Sequence, residues 1–212
     1  MIAVVDYEAG NLASVKRSLK ALEAQVTVTQ DPAVVAQADK IIFPGVGAAG
    51  QAMSNLQRLG LDKALQKAWT AGKPILGICL GAQIIMSHSA ENDTPCLGLL
   101  PGEVKLLLPT MPRIGSERYK IPHMGWNQVR FLTDHPVFAG IPEKAEFYFV
   151  HSYYPSPADP KKILGITDYC QEFPSVVGYK NLVAMQFHPE KSGRFGLIIL
   201  TNFLGWDGHY AE

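Results

Sequence analysis

The amino-acid sequence predicts an α/β fold, with a mostly parallel central sheet, helices on both faces and a small antiparallel sheet insertion. In the first half of the 212 residues, short apolar runs rich in β-branched residues alternate with stretches of helical period. Such alternation implies right-handed crossovers between parallel strands. In the second half, prolines interrupt the helical pattern and several short strand-like runs follow one another. Because no linker or repeat separates these halves, a single domain is predicted over residues 1–212.

The individual elements follow from periodicity and from capping residues. A buried strand is predicted first, and an amphipathic helix then begins at Leu12, with Asn11 at its N-cap position. Asp31 followed by Pro32 marks a second helix start. The predicted strands are 2–5, 25–29, 40–43, 74–78, 104–108, 127–131, 147–150, 163–167, 175–179 and 182–187. The predicted helices begin at 12 and 32 or span 48–59, 61–71, 80–87 and 193–204.

Composition and charge exclude several classes of protein. Lys and Arg together number 19, as do Asp and Glu, so a neutral chain has no electrostatic basis for binding nucleic acid or an acidic membrane. The longest apolar stretch, 74–82, is far shorter than the roughly 20 residues that span a bilayer, and the first residues lack a secretory pattern. Three widely spaced cysteines form neither a disulfide scaffold nor a zinc motif. A cytoplasmic protein without a metal or cofactor is therefore expected.

Cys79 is the first candidate for chemistry, because Gly77 and Gly81 flank it between a predicted strand and a predicted helix. Glycines at these two positions are typical of a sharp strand-to-helix turn that raises a nucleophile above the edge of a sheet. The first turn of the helix would then favour an anionic sulfur. An inert cysteine in a glycine-rich turn is the alternative, and this motif alone does not decide between the two. Cys96 and Cys170 lack such a setting and are interpreted as inert.

A thiol nucleophile needs a base, and His188 is the histidine with a suitably placed acid. Pro189 disfavours the helical region for His188, so an extended segment is predicted in which His188 and Glu190 point to the same side. Glu190 could then orient the imidazole, whose other nitrogen would face the thiol. A strand-end histidine with a solvated glutamate is the plainer interpretation of this pair. Its coincidence with the cysteine motif favours the catalytic one.

The loop at Gly45, Val46 and Gly47 directly follows a predicted strand. Glycines at these positions leave main-chain N–H groups able to turn inward, as an oxyanion hole for acyl transfer requires. A phosphate-binding loop is disfavoured, because the Lys-Ser/Thr ending of a P-loop is missing. A plain turn remains the other interpretation.

These residues resemble the class I (triad) glutamine amidotransferases. The match lies in Gly-Ile-Cys-Leu-Gly at 77–81 followed by Gln83, and in Phe-His-Pro-Glu at 187–190. Further motifs resemble the glutaminase subunits of imidazole glycerol phosphate synthases, a family of histidine biosynthesis. These motifs are 6–12, 43–49, 122–127, 147–153 and 186–192.

The resemblance implies a complete reaction and a set of site residues. Cys79 would attack the side-chain amide of L-glutamine, His188 would protonate the departing ammonia, and Glu190 would hold the tautomer of His188. The N–H groups of Leu80 and Val46 would form the oxyanion hole. The remaining residues that match substrate-binding positions of the family are Gly45, Gly47, Gln83, Ser152 and Tyr153.

The resemblance also implies a partner. Ammonia would pass into a cyclase subunit with a (β/α)₈ barrel, docked against Asn11, Trp126, Asn127, Tyr148 and Lys191. By residue type alone, Trp126 and Tyr148 fit ordinary core packing at least as well as an interface. Two other functions remain open: the glutaminase subunit of another triad amidotransferase, such as one for anthranilate or pyridoxal phosphate synthesis, or a non-catalytic regulatory module of the same fold.

Overall fold

A computed structural model describes residues 1–9, 12–108 and 120–210 of the chain. Its strands are β1 (Ile2–Val5), β2 (Val26–Thr29), β3 (Lys40–Gly45), β4 (Ile75–Cys79), β5 (His88–Ser89), β6 (Thr94–Pro95), β7 (Gly102–Leu106), β8 (His123–Gln128), β9 (Arg130–Phe131), β10 (Glu146–His151), β11 (Tyr153–Pro157), β12 (Ile163–Tyr169), β13 (Gln171–Tyr179) and β14 (Leu182–Met185). Its α-helices are α1 (Leu12–Ala21), α2 (Pro32–Gln37), α3 (Ala49–Leu59), α4 (Leu61–Thr70), α5 (Leu80–Ile84) and α6 (Gly193–Gly205).

The largest sheet has eight strands in the order β2-β1-β3-β4-β14-β13-β12-β9. The strands from β2 to β14 in that order are parallel, and the remaining three continue the sheet in antiparallel fashion. β4 therefore lies in the middle, in register with β3 on one side and with β14 on the other. The carboxyl ends of these three strands form one edge, which is where parallel α/β sheets place their functional residues.

Helices cover both faces of this sheet, as the sequence predicts. Side chains alternate along each strand, so Ala3 and Ile41 pack on one face, together with Leu56 of α3. Val4 packs on the opposite face, together with Leu200 of α6. Asp31 caps α2 by accepting a hydrogen bond from Ala33 N at 2.8 Å, as predicted, whereas the predicted cap Asn11 lies outside the described residues.

Two smaller sheets accompany the main one. β8 pairs with β10 in a small antiparallel sheet, as predicted. The other sheet has the order β11-β7-β5-β6 and is mixed, because β5 pairs with β7 in parallel whereas its other pairs are antiparallel. β11 is not predicted by the sequence, because Pro155 and Pro157 are poor strand residues in the interior of a sheet. β11 lies at the edge of its sheet, and on its open side no neighbouring strand needs the N–H groups that the prolines lack. None of the helices in the described ranges combines the length and the apolar character that a bilayer crossing requires.

Candidate active site

Cys79 is the last residue of β4, and α5 begins at the next residue. Its backbone has φ 53° and ψ −107°, a region that non-glycine residues rarely occupy and that is often found at functional sites. A side chain at Gly81 would overlap the main-chain carbonyl of Phe43, and one at Gly77 would lie 2.9 Å from the Ala184 side chain. The predicted strand–turn–helix around Cys79 is therefore present, and both glycines are required by close packing.

The helix after Cys79 is shorter than predicted. The sequence predicts 80–87, but α5 ends at Ile84. The carbonyls of residues 84, 85 and 86 accept hydrogen bonds from Leu97, Leu100 and Gly98, so a later loop takes the place of the next helical turn. The first turn of α5, whose N–H groups are expected to favour an anionic sulfur, is present, so that expectation stays a prediction.

His188 is held where the chain leaves the main sheet. Gln186 N still donates to Ser175 O of β13 at 2.8 Å, but His188 N donates to Tyr148 O of β10 at 2.9 Å. Ser192 then links the two segments, since its Oγ donates to His188 O and accepts from Tyr148 N. The predicted strand 182–187 therefore ends early at Met185, and this change of partner fixes the main chain of His188.

Glu190 forms a buried pair with His188. The distance from Glu190 Oε1 to His188 Nδ1 is 2.8 Å, and both side chains are only 2% exposed. His188 is extended, with φ −100° and ψ 95°, as predicted. Glu190, however, lies in a 3-10 turn over Pro189–Lys191. The predicted proximity is correct, but the turn produces it rather than a continued extended chain.

The Cys79 sulfur lies within interaction range of the imidazole. Burial by itself would lower the pKa of His188, but hydrogen-bonding and electrostatic interactions with Cys79 and Glu190 outweigh burial and raise the pKa to about 9. Nε2 of His188 is buried and has no hydrogen-bond partner of normal geometry among the described residues. The thiol–imidazole contact is therefore loose in this structure, as contacts of this kind often are before substrate binds.

The side-chain amides of two glutamines form a series of hydrogen bonds that ends at the Cys79 sulfur. Gln83 Nε2 donates to Tyr153 O at 2.8 Å and to Gln186 Oε1 at 3.0 Å. Because a carbonyl only accepts, these contacts fix which end of each amide is the NH₂ group. Gln186 is fully buried, and its Nε2 lies 3.7 Å from Cys79 Sγ, within hydrogen-bonding distance for sulfur. An amide N–H therefore faces the sulfur.

Two further buried histidines near the site are neutral. His151 Nδ1 lies 2.9 Å from Tyr153 O, so it must donate there, and His151 Nε2 lies 3.0 Å from His123 Nδ1. Burial lowers the pKa of His151 to about 3 and that of His123 to about 4. Among these three histidines, only His188 has the raised pKa and the carboxylate partner expected of a proton carrier beside a thiol.

The loop at 45–47 lies beside Cys79, because Gly45 pairs with Cys79 across β3 and β4. Val46 is 36% exposed, and Gly47 has φ 102°, a conformation that favours glycine. Leu80 opens α5, so its N–H precedes the first intrahelical hydrogen bond. Ser152 joins β10 to β11, and its carbonyl accepts from Leu107 N at 2.8 Å. The predicted oxyanion and substrate residues are thus gathered around the same strand ends.

Of the predicted docking residues, Trp126, Tyr148 and Lys191 lie together, and Asn11 lies outside the described residues. Asn127 follows Trp126 in β8, so its side chain points to the opposite face of the strand. Trp126 is 55% exposed, and its ring meets the Tyr148 ring edge-on at a centroid distance of 6.1 Å. Lys191 Nζ lies 5.9 Å from the centre of the Tyr148 ring. Asn127 is half-buried and donates to Asp168 O at 3.0 Å. Core packing is thereby excluded for Trp126.

The other cysteines fit the interpretation that they are inert. Burial raises the pKa of the Cys96 thiol to about 12, and desolvation also raises that of Cys170. The described residues contain no group of three His, Cys, Asp or Glu side chains arranged to hold a metal ion.

Gln186 and Tyr7 also lie at this site, although the sequence motifs by themselves give neither a role. Gln186 is the first residue of the 186–192 motif, and that position is the signal that could have identified it. Tyr7 is 1% exposed, and its hydroxyl lies against Gly45 without a hydrogen-bond partner among the described residues.

The fold and this site match known proteins. The family model described as glutamine amidotransferase class-I matches residues 3–205. A chain in the structure of PurLQS from Thermotoga maritima superimposes with a TM-score of 0.71 at 19% identity, over 96% of this chain and 97% of that chain. A second, described simply as glutamine amidotransferase, gives a TM-score of 0.73 at 17% identity over 99% and 100%. The chain therefore belongs to the class-I glutamine amidotransferases.

Closer relatives narrow this assignment. The chain is 49% identical over 211 residues to the imidazole glycerol phosphate synthase subunit HisH of Chromobacterium violaceum, covering 98% of this chain and 99% of that protein. It is also 49% identical over 206 residues to the HisH subunit of Nitratidesulfovibrio vulgaris, covering 97% of each. Within the class, the chain belongs to the family of these HisH subunits.

Proposed function

We propose that this chain is the glutaminase subunit of an imidazole glycerol phosphate synthase and supplies ammonia for histidine biosynthesis. The observation that carries the proposal is the position of Cys79 at a strained strand end, within interaction range of a His188 that is paired with Glu190. The 49% identity to HisH subunits over nearly the whole chain supports the choice of substrate and pathway.

In the proposed reaction, the Cys79 sulfur attacks the side-chain carbonyl carbon of L-glutamine. His188, which is protonated beside a thiolate because its pKa is raised to about 9, gives its proton to the departing nitrogen. Ammonia leaves and a γ-glutamyl thioester remains on Cys79. Neutral His188 then takes a proton from water as the water attacks the thioester, and L-glutamate is released with the thiolate and imidazolium restored.

Main-chain and amide groups stabilise the negative charges. The N–H groups of Leu80 and Val46 form the oxyanion hole for the tetrahedral intermediate, where each donor typically contributes about 10²–10³ in rate. The Gln186 N–H that faces the sulfur stabilises its anionic form. Gly45, Gly47 and the residues around Ser152 hold the substrate.

Gln83 and Tyr153 belong to the proposed substrate pocket, although their polar atoms already meet one another. Gln83 Nε2 is occupied by Tyr153 O and by Gln186, which leaves its Oε1 as the free acceptor. An ammonium group needs acceptors. Gln83 would therefore bind the α-ammonium of glutamine through Oε1.

The ammonia would pass to a cyclase subunit with a (β/α)₈ barrel that docks on the surface of Trp126, Asn127, Tyr148 and Lys191, with Asn11 nearby. There it would react with a phosphoribosyl-formimino-aminoimidazole-carboxamide ribotide, giving imidazole glycerol phosphate and an aminoimidazole carboxamide ribotide. Aromatic residues that remain exposed, as Trp126 does, are typical anchors of interfaces. The chain would act in the cytoplasm and would fold as a single domain over residues 1–212. The reaction would need no cofactor or metal.

The test combines co-purification with two assays. The chain is expected to bind the cyclase, to hydrolyse glutamine weakly alone, and to do so strongly with the cyclase and its nucleotide. Cys79→Ala should abolish synthesis from glutamine and leave synthesis from ammonium ions intact, whereas Cys96→Ala should leave both intact. Loss of both activities in Cys79→Ala would show that the substitution affects folding or docking instead. If the chain hydrolyses glutamine only for a different synthase, it is the glutaminase subunit of another triad amidotransferase. If the wild-type complex hydrolyses no glutamine, the chain is a non-catalytic regulatory module.

A further inference from the structure

We propose that Tyr7 is a positioning residue of the oxyanion loop: when glutamine binds, its hydroxyl donates to the main-chain carbonyl of Gly45 and so aims the Val46 N–H at the reacting oxygen. The inference rests on the proposed glutaminase function and adds to it a residue from the end of β1.

The inference starts from the buried hydroxyl of Tyr7, which makes no hydrogen bond to any of the described residues. Tyr7 is 1% exposed, and its hydroxyl oxygen has no hydrogen-bond partner among the described residues. The ring is fixed by packing on Phe43, with a centroid distance of 5.2 Å, and the Tyr7 carbonyl accepts from Asn55 Nδ2 at 3.0 Å. Buried polar groups without partners are rare in folded proteins, and one that is rigidly held calls for a partner in another state.

The hydroxyl lies where such a partner could appear. A Cβ built on Gly45 would overlap the Tyr7 hydroxyl and would lie 3.1 Å from the Leu80 side chain. The hydroxyl is therefore wedged between the two segments that carry the proposed oxyanion donors. Only glycine fits at 45, and glycine also gives this peptide the freedom to rotate.

Peptide geometry turns this contact into a device for orientation. The carbonyl of Gly45 and the N–H of Val46 belong to one trans peptide, so they point in opposite directions. A hydrogen bond from Tyr7 to the carbonyl therefore turns the N–H away from Tyr7. Tyr7 packs on the face of the main sheet that holds Ala3 and Ile41, whereas Cys79 packs on the opposite face with Val4, so the side turned away from Tyr7 is the side of the nucleophile. Burial and the nearby Cys79 raise the pKa of Tyr7, so the hydroxyl keeps its proton and remains a donor.

Tyr7→Phe tests the proposal in the complex with the cyclase, because it deletes only the hydroxyl and keeps the ring against Phe43. The turnover number for glutamine should fall by roughly tenfold or more, with little change in KM. The affinity for the γ-aldehyde analogue of glutamine, whose adduct with Cys79 carries the same oxyanion, should fall by a similar factor. Alkylation of Cys79 by iodoacetamide creates no oxyanion, so its rate should not change.

Tyr154→Phe is a matched control, because the hydroxyl of wild-type Tyr154 accepts a hydrogen bond from Gln171 Nε2 at 3.0 Å. That variant should keep full turnover and melt at a lower temperature, because it loses a hydrogen bond. Tyr7→Phe should show the opposite pattern, with an unchanged or higher melting temperature. Wild-type turnover in Tyr7→Phe, a slower alkylation, or a melting temperature lowered as in the control would each overturn the inference. Failure of the wild-type complex to hydrolyse glutamine would instead overturn the proposed function.

Discussion

Glu190→Gln removes the negative charge beside His188 without removing the side chain that orients the imidazole. The glutamine amide keeps an oxygen that can accept the Nδ1–H of His188, so the tautomer is preserved while the negative charge is removed. Both side chains are 2% exposed, so solvent cannot replace the lost charge. A hydrogen bond to a charged group contributes about 1.5–3 kcal/mol and a neutral one about 1 kcal/mol. The change therefore amounts to about 0.5–2 kcal/mol, or roughly one pKa unit of His188.

The expected result is a folded protein with a weaker imidazolium. In the complex with the cyclase, turnover of glutamine should fall by roughly tenfold or more, since the loss of the charge also destabilises the imidazolium in the transition state. Synthesis from ammonium ions should not change. An unaltered glutamine turnover would remove Glu190 from the mechanism.

The same variant has a signature in stability. The pKa of His188 is raised from 6.5 to about 9 in the folded protein, so the stabilisation is complete below pH 6.5 and is lost as the pH rises toward 9. The difference in melting temperature between wild type and Glu190→Gln should be largest near pH 6 and should shrink by pH 9. A difference that does not depend on pH would mean that His188 is not charged in the fold.

Two further substitutions test the surroundings of the nucleophile. Gly81→Ala should lower the melting temperature by many degrees or prevent folding, because its Cβ would overlap a main-chain carbonyl of β3; thermal denaturation checks this against Gly205→Ala, where nothing lies within 4 Å. An equal effect of both would refute the packing argument. Gln186→Leu should slow the alkylation of Cys79 at neutral pH by roughly tenfold, because the anionic sulfur loses an N–H donor. Gln66→Leu, at an exposed position of α4, should leave that rate unchanged, and an unchanged rate in Gln186→Leu would deny the amide any role.

Sequence patterns predict an element well when the interactions that form it lie within the element itself. The strand at β1, the cap at Asp31 and the glycines around Cys79 depend on residues near one another in sequence, and all three agree with the structure. The end of α5 depends instead on hydrogen bonds from 97–100, which no local pattern reveals. The edge position of β11, which makes its prolines tolerable, is equally a property of the assembled sheet.

The site shows the same division. The proximity of His188 and Glu190 follows from a two-residue separation, and His188 is extended as predicted, but the 3-10 turn that contains Glu190 is not predicted by the sequence. The amide of Gln186 and the hydroxyl of Tyr7 reach the site from segments that follow different strands, β14 and β1, and a sequence does not state which way either side chain points. Their chemistry depends on that direction, so only the assembled structure makes them candidates.

The base and the proposed docking surface share one support. His188 donates its main-chain N–H to Tyr148 O, and Ser192 Oγ ties the same two residues together. Tyr148 also carries the ring that meets Trp126 on the exposed face. A partner that docks on these rings would therefore act one hydrogen bond away from the main chain of His188. A shift of β10 on docking would therefore reach the main chain of His188 through this one hydrogen bond, without a long pathway.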